Sequence, residues 1–363
     1  MTQSTYSSSY REARQRFCDA AHRARWSLKQ CEMPGEGPAG EPLSIDIAVS
    51  PEAEGPSRLV LSSGLHGVEG YFGSAVQLEL LKRYQHDRPP APIVMWHGLN
   101  PWGFAWDRRS DENNVDLNRN FLLEGQVYEG CSDGYRTLDS LLNPSHPPRR
   151  WDGFLLRALR AIAKHGVPAL RQAVAGGQYA FPRGSFFGGC EAAALQRVIE
   201  EQNRELLSGV RHVMHLDFHT GLGRWAKGKL LIDTPLDVAQ EEWFRQTFGR
   251  DSFEAPCSEK EAQEGMAYQA SGSLGCWCVS RAFVEDYRYA CAEFGTFPPL
   301  RVLSALRREN QAYHWADAAS AARRDASREL KHVFCPTSQR WRRAALAGAL
   351  RYVERALKGL VAA

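Results

Sequence analysis

The chain has 363 residues, long for one hydrophobic core yet short for two independent domains of ordinary size. Apolar residues at 43% and charged residues at 24% make a globular composition and exclude a disordered chain. A formal net charge of +3 is too small to argue for nucleic acid, no Lys/Arg block is interleaved with aromatics, and no nucleic-acid partner is expected.

The opening residues, MTQSTYSSSYREARQRF, lack the apolar stretch of a secretory signal. No window holds the roughly 18 apolar residues that a bilayer span requires. A helix is predicted over 8–27, followed by a Gly/Pro/Glu-rich surface loop at 33–42. Strands are then predicted at 43–50, 57–64, 92–99, 211–220, 228–234, 275–284 and 288–295. Between them, helices are predicted at 71–85, 152–165, 191–207, 236–248, 300–317 and 339–358. Several strands are continuous apolar runs, as expected where both faces are covered. The alternation argues for an α/β fold with a mixed, largely parallel central sheet flanked by helices.

Residues 122–210 are the least regular and read as a long loop-rich insertion, while residues 1–40 read as a helical N-terminal extension of one domain spanning 1–363. The last helix spaces Leu346, Leu350, Val353, Leu357 and Leu360 on one side, with arginines elsewhere. Such a helix suits a membrane surface, but packing of one face on the core is the preferred reading. Nine cysteines without regular spacing lie partly in apolar runs, where a free thiol acts as a small hydrophobe. Cys276 and Cys278 lack the second pair of a zinc knuckle. The expectation is a reduced, soluble, cytoplasmic protein with no membrane partner.

In such sheets chemistry gathers beyond the carboxyl ends of the strands, and four strand ends carry it here. In LSSGLHGVEGYFGS (61–74), His66 and Glu69 stand three residues apart among glycines. A tight turn with solvated polar residues and half of a metal site both fit that pattern. In NPWGFAWDRRSDENNVDLNRNF (100–121), Arg108, Arg109 and Arg119 crowd a loop with Asp116 and Asn118. Guanidinium groups in a packed loop call for a planar anion, from the protein or from a ligand. In VMHLDFHTGLG (213–223), His215, Asp217 and His219 share one face of a strand that turns away at Thr220–Gly223. His219 suits a metal ligand and Asp217 an outer partner, with His212 and His215 competing for the ligand role. In RYACAEFGTFPP (288–299), Glu293 ends an apolar strand, where a carboxylate is either paired or functional.

Taken together, H-G-V-E (66–69), D-L-N-R-N-F (116–121), D-F-H-T (217–220) and E-F-G-T (293–296) resemble the zinc carboxypeptidase superfamily. That group includes carboxypeptidase A-like enzymes and the aspartoacylase/succinylglutamate desuccinylase branch. GQYAFPRGSFFGG and RRSDENNVDLNRNF further resemble a bacterial branch known as a domain of unknown function, over roughly residues 40–320. The resemblance implies a zinc carboxypeptidase-like sandwich with one zinc per chain on His66, Glu69 and His219. It implies Glu293 as general base and Arg109 as the oxyanion donor. Asn118 and Arg119 then grip a substrate carboxylate. The long separation of Glu69 from His219 implies that the 122–210 insertion covers the cleft. Tyr268 and Tyr287 are the candidates for the family's mobile tyrosine.

The implied function is a zinc-dependent amide-bond hydrolase, a metallocarboxypeptidase of short peptides with a free carboxylate. An N-acyl amino acid deacylase of the aspartoacylase type is the alternative. A catalytically silent binding module is a further one. A serine hydrolase is disfavoured, because SGSLG (271–275) lacks the first glycine of the nucleophile motif.

Overall fold

The computed structural model describes residues 5–51, 55–149, 152–166, 176–256 and 271–362. The described strands are β1 (Ser27–Glu36), β2 (Pro42–Val49), β3 (Ser57–Ser63), β4 (Ile93–His97), β5 (His212–Trp225), β6 (Gly228–Leu231), β7 (Phe253–Glu254) and β8 (Asp286–Gly295). They form one sheet in the order β1-β2-β4-β3-β5-β8-β6-β7. β4, β3, β5 and β8 run parallel at its centre. Antiparallel pairing joins β1 to β2, β2 to β4 and β6 to β8, and β7 pairs parallel to β6.

The described helices are α1 (Tyr10–Arg23), α2 (Gly70–Arg83), α3 (Pro101–Ala105), α4 (Asp133–Leu142), α5 (Phe154–His165), α6 (Ala194–Leu206), α7 (Val238–Phe248), α8 (Leu274–Ser280), α9 (Pro299–Trp315), α10 (Ala321–Phe334) and α11 (Gln339–Ala362). One sheet face buries Leu61, Leu216, Phe218 and Phe294 against Phe17 of α1, Phe72 of α2, Phe244 of α7 and Trp341 of α11. The opposite face buries Val60, Val213, Tyr287 and Tyr289 against Leu195 and Ile199 of α6 and Trp277 of α8. The apolar stripe of α11 therefore faces the core. No helix among the described residues is long and apolar enough to cross a membrane.

Several local expectations change. Of residues 275–284, expected as a strand, 275–280 belong to α8 instead and 281–284 form a turn. Ser273 caps it by accepting from Cys276 N–H, and Leu274, Trp277 and Cys278 fall on one helical face in the core. Within the irregular stretch, α4 is capped by Ser132 and buries Tyr135, Leu138 and Leu142. The expected surface loop at 33–42 begins as the edge strand β1. α10, capped by Ser320, has no counterpart among the predicted helices. β5 does not turn away at Thr220 but continues to Trp225 through a bulge, with Gly221 and Gly223 at φ of 140° and 106°.

The central strands grade from apolar to polar along one face. Val60, Val213 and Tyr287 give way to Ser62, Asp217, His219 and Glu293 towards the carboxyl ends. The opposite face stays apolar to Phe294, beneath Trp341. That tryptophan is fully buried against Phe72 and donates its indole N–H to Gly295 O at 2.9 Å. Trp341→Ala should therefore lower unfolding stability by about 3–5 kcal/mol, measured by urea denaturation. A loss below about 1 kcal/mol would contradict this account of the core.

Candidate metal centre

His66 and Glu69 occupy the connection between β3 and α2, where Gly67–Glu69 form one 3-10 turn. The turn is pinned from both sides. Gly67 N–H and Val68 N–H donate to Arg109 O and Arg108 O at 3.2 and 2.8 Å. Val68 packs beneath α9 and α10 with Val302, Leu330 and Phe334. A Cβ on Gly67 would lie 2.1 Å from the carbonyl carbon of Gly103, so only glycine fits there. His219 arrives from β5, and the next residue, Thr220, donates its N–H to Glu69 Oε2 at 2.8 Å.

Three donors converge as a result. His66 Nδ1 is 3.0 Å from Glu69 Oε1, and His219 Nδ1 is 3.2 Å from Glu69 Oε2 and 3.1 Å from His66 Nδ1. Two imidazole nitrogens that face each other repel unless a proton or a cation lies between them. A tetrahedral cation with zinc–nitrogen distances of about 2.0–2.1 Å spaces its donors roughly 3.3 Å apart, so these residues fit zinc. Both rings are held from behind by buried carboxylates. His66 Nε2 is 3.1 Å from Asp116 Oδ1, and His219 Nε2 is 2.6 Å from Asp217 Oδ2. Such outer partners orient imidazole ligands. The competing histidines turn elsewhere: His212 pairs with Asp286, and His215 lies between Ser62 and Tyr287.

Glu293 is the β8 partner of His219 across the parallel strand pair. Its Oε1 accepts from Leu222 N–H at 2.7 Å, and its ligand oxygen lies within 4.8 Å of those of His219 and Cys291. Burial, and then the Glu69 carboxylate, push Glu293 up to about 7. Burial acts on Glu69 in the same sense, but His66 and His219 hold its carboxyl below the usual range.

Arg109 donates from Nε to Asp116 Oδ2 at 2.9 Å and from Nη1 to Glu69 Oε1 at 3.3 Å. Asn118 Oδ1 accepts from Leu274 N–H, and Arg119 Nη1 donates to Asn118 O. Arg119 is buried and its Nε has no partner. Residues of the irregular stretch reach this loop: Tyr179 donates to Arg119 O at 2.7 Å, and Phe187 O accepts from Asp116 N–H at 2.7 Å. Tyr287, one of the two tyrosine candidates, is instead buried in the core, and Tyr268 lies outside the described residues. Ser62 and Tyr289, which bond the Asp217 carboxylate, went unrecognised in the sequence. Only the register of β3, β5 and β8 brings them to it.

The model of a family described as protein of unknown function (DUF2817) matches residues 6–348. No curated protein matches. Among solved structures, thrombin activatable fibrinolysis inhibitor is similar at 12% identity, covering 99% of this chain and 77% of that one, with a TM-score of 0.55. The bovine form in complex with tick carboxypeptidase inhibitor is similar at 12% identity, covering 98% of each chain, with a TM-score of 0.52. Carboxypeptidase A from Helicoverpa armigera follows at 11% identity, covering 96% of this chain and 73% of that one, with a TM-score of 0.46. The likeness shows a zinc carboxypeptidase-like fold.

Burial opposes protonation of His219, but Asp217 and Glu69 outweigh it and hold the ring well above the ordinary imidazole range. A metal at Nδ1 must displace that proton, so affinity should rise with pH. Zinc titrated into the metal-free protein at pH 7 should release about one proton per chain. Calorimetry in buffers of different ionisation enthalpy reads this directly; a buffer-independent heat would contradict it.

Proposed function

The chain belongs to the family described as protein of unknown function (DUF2817), and we propose that it is a zinc-dependent amide-bond hydrolase. Our reading is a metallocarboxypeptidase that cleaves short peptides or peptide-like substrates bearing a free carboxylate. One observation carries it. Two imidazoles and a carboxylate meet at 3.0–3.2 Å, beside a buried glutamate pushed up to about 7.

His66, Glu69 and His219 would hold one zinc per chain. When bound, the metal supplies Lewis-acid polarisation of the scissile carbonyl and brings the pKa of water from near 16 to about 7. Glu293 takes the water proton and returns it to the leaving amine, a role suited to a carboxyl that titrates near neutrality. Arg109 reaches Glu69 with Nη1, and its guanidinium serves the developing oxyanion, where loss of such a donor typically costs about 3–4 kcal/mol. Arg119 and Asn118 grip the substrate carboxylate. The unpartnered Nε of buried Arg119 supports this role, because a buried guanidinium donor without an acceptor is costly.

The second reading keeps the chemistry and changes the substrate to an N-acyl amino acid. The contacts of Tyr179 and Phe187 with the arginine loop support it, since a cleft covered there favours small substrates. A cytoplasmic setting stays part of the proposal and rests on the cysteine usage of the sequence.

A panel of free-acid and amidated peptides and N-acyl amino acids, run on wild-type protein and Glu293→Gln, tests the reading. Free acids should be cleaved and their amides spared. Peptide turnover alone selects the carboxypeptidase, and turnover of acylated amino acids alone selects the deacylase. Glu293→Gln should keep its zinc and lose roughly 10²–10⁴-fold in kcat. A zinc-loaded Glu293→Gln with near-normal turnover would overturn the role of the base.

A further inference from the structure

Beneath the metal centre, the inner sheet face carries a group of polar side chains that the proposed mechanism does not use. Ser62 on β3, His215 on β5 and Tyr287 and Tyr289 on β8 are all buried, in strands whose neighbours on that face are Val60 and Val213. A buried polar group left unpaired costs about 1–3 kcal/mol, so their accumulation in a core calls for a reason. None of their side-chain atoms is without a hydrogen-bond partner.

The bonds form a single directed chain. Ser62 donates its hydroxyl to Asp217 Oδ1 at 2.6 Å, and Tyr289 donates its own to Asp217 Oδ2 at 3.0 Å. His219 Nε2 meets the same Oδ2 at 2.6 Å. With His219 Nε2 and two hydroxyls gathered on its two oxygens, Asp217 is read as a carboxylate that accepts from all of them. An ionised carboxylate can only accept, so all three neighbours are donors. Ser62 has one proton and gives it to Asp217. Its oxygen must therefore accept from His215 Nε2, 2.7 Å away. Burial pushes His215 down to about 4, so the ring is neutral at pH 7 and carries its one proton on Nε2. His215 Nδ1 then accepts from the Tyr287 hydroxyl at 2.9 Å. Every proton from Tyr287 onward points toward Asp217.

We infer that Ser62 and Tyr289 are positioning residues, which lock the Asp217 carboxylate so that His219 carries its proton on Nε2 and presents Nδ1 to the metal. Each carboxylate oxygen has its own anchor: Ser62 holds Oδ1, while Tyr289 shares Oδ2 with His219. With either anchor gone, the carboxylate can rotate about its last bond, and the short contact to His219 loosens. His215 and Tyr287 form the rear of the chain and fix the direction in which Ser62 donates. His215 thus belongs to the metal centre without being a ligand. The inference rests on the reading that His219 binds the metal.

Ser62→Ala and Tyr289→Phe each remove one hydroxyl and little volume. Zinc affinity should weaken about tenfold in each, the lower end for outer partners of a metal ligand, measured by competition with a chelator. In the zinc-loaded protein, the Nε2 proton of His219, shifted downfield by its bond to Asp217, should move upfield in both variants. Ser62→Thr, which restores the hydroxyl, should recover affinity to within about threefold. His219→Ala, measured alongside, tests the underlying reading. If it keeps zinc, the assignment of the metal ligand fails. If it loses zinc while Ser62→Ala and Tyr289→Phe bind as tightly as wild type with an unmoved Nε2 proton, the inference alone is overturned. Should Ser62→Ala not fold, Tyr289→Phe decides by the same two readouts.

Discussion

His219 and Glu293 face each other across a parallel pair of strands, and the register that sets them there governs the rest of the site. The same register sets Ser62 beside Asp217 on the other side of β5. Side chains alternate along a strand, so a slip of one residue would turn His219 and Asp217 into the apolar core and bring Leu216 and Phe218 to the centre. The buried packing of Leu216 and Phe218 with Phe72 and Phe294 resists such a slip. The core thus acts on the chemistry at a distance: apolar burial on one face holds the polar residues of the other in line.

Charge supplies the second constraint. Glu69, Asp116, Asp217 and Glu293 bring four carboxyl groups into a buried volume served by the guanidinium groups of Arg109 and Arg119. Desolvated charges of one sign are tolerated only where something of the other sign meets them. On the proposed reading, a divalent cation held by His66, Glu69 and His219 would add positive charge to this acid-rich volume. The Glu69 carboxylate is also the group, after burial, that pushes Glu293 up. On the proposed reading, one residue therefore serves the metal as a ligand and the base as a source of basicity. Val68 ties this centre to α9 and α10, and the contact of Phe187 with Asp116 ties it to the irregular stretch.

Much of this was legible in the sequence because the informative residues lie at strand ends. Strong apolar runs marked β2, β3, β4, β5 and β8, and the breaks after them marked the centre. His66, Glu69, His219 and Glu293 were singled out there, and the structure brings them together. The period of two along β5 gave His215, Asp217 and His219 one face, but it could not choose between the histidines. That choice needed the partner strands, which put Ser62 and Tyr287 around His215. Ser62 and Tyr289 were not recognisable at all, since an alternating strand residue acquires a role only from its neighbours in register. Residues 275–284 misled because Trp277, Cys278 and Val279 have strand-like side chains, whereas the cap at Ser273 and the core contacts decide for a helix. α10 was missed because charged residues cover most of its surface and only Ala326, Leu330, Val333 and Phe334 are buried.

The central claim is that two imidazoles and one carboxylate, from His66, Glu69 and His219, hold a zinc ion and leave room for water. X-ray absorption at the zinc edge of protein loaded with one equivalent of metal tests it most directly. The account predicts a shell of nitrogen and oxygen donors at about 2.0–2.1 Å, with the outer-ring scattering of two imidazoles and no sulfur. A sulfur shell near 2.3 Å, which would bring Cys291 into the coordination, or a spectrum with no imidazole scattering, would contradict it.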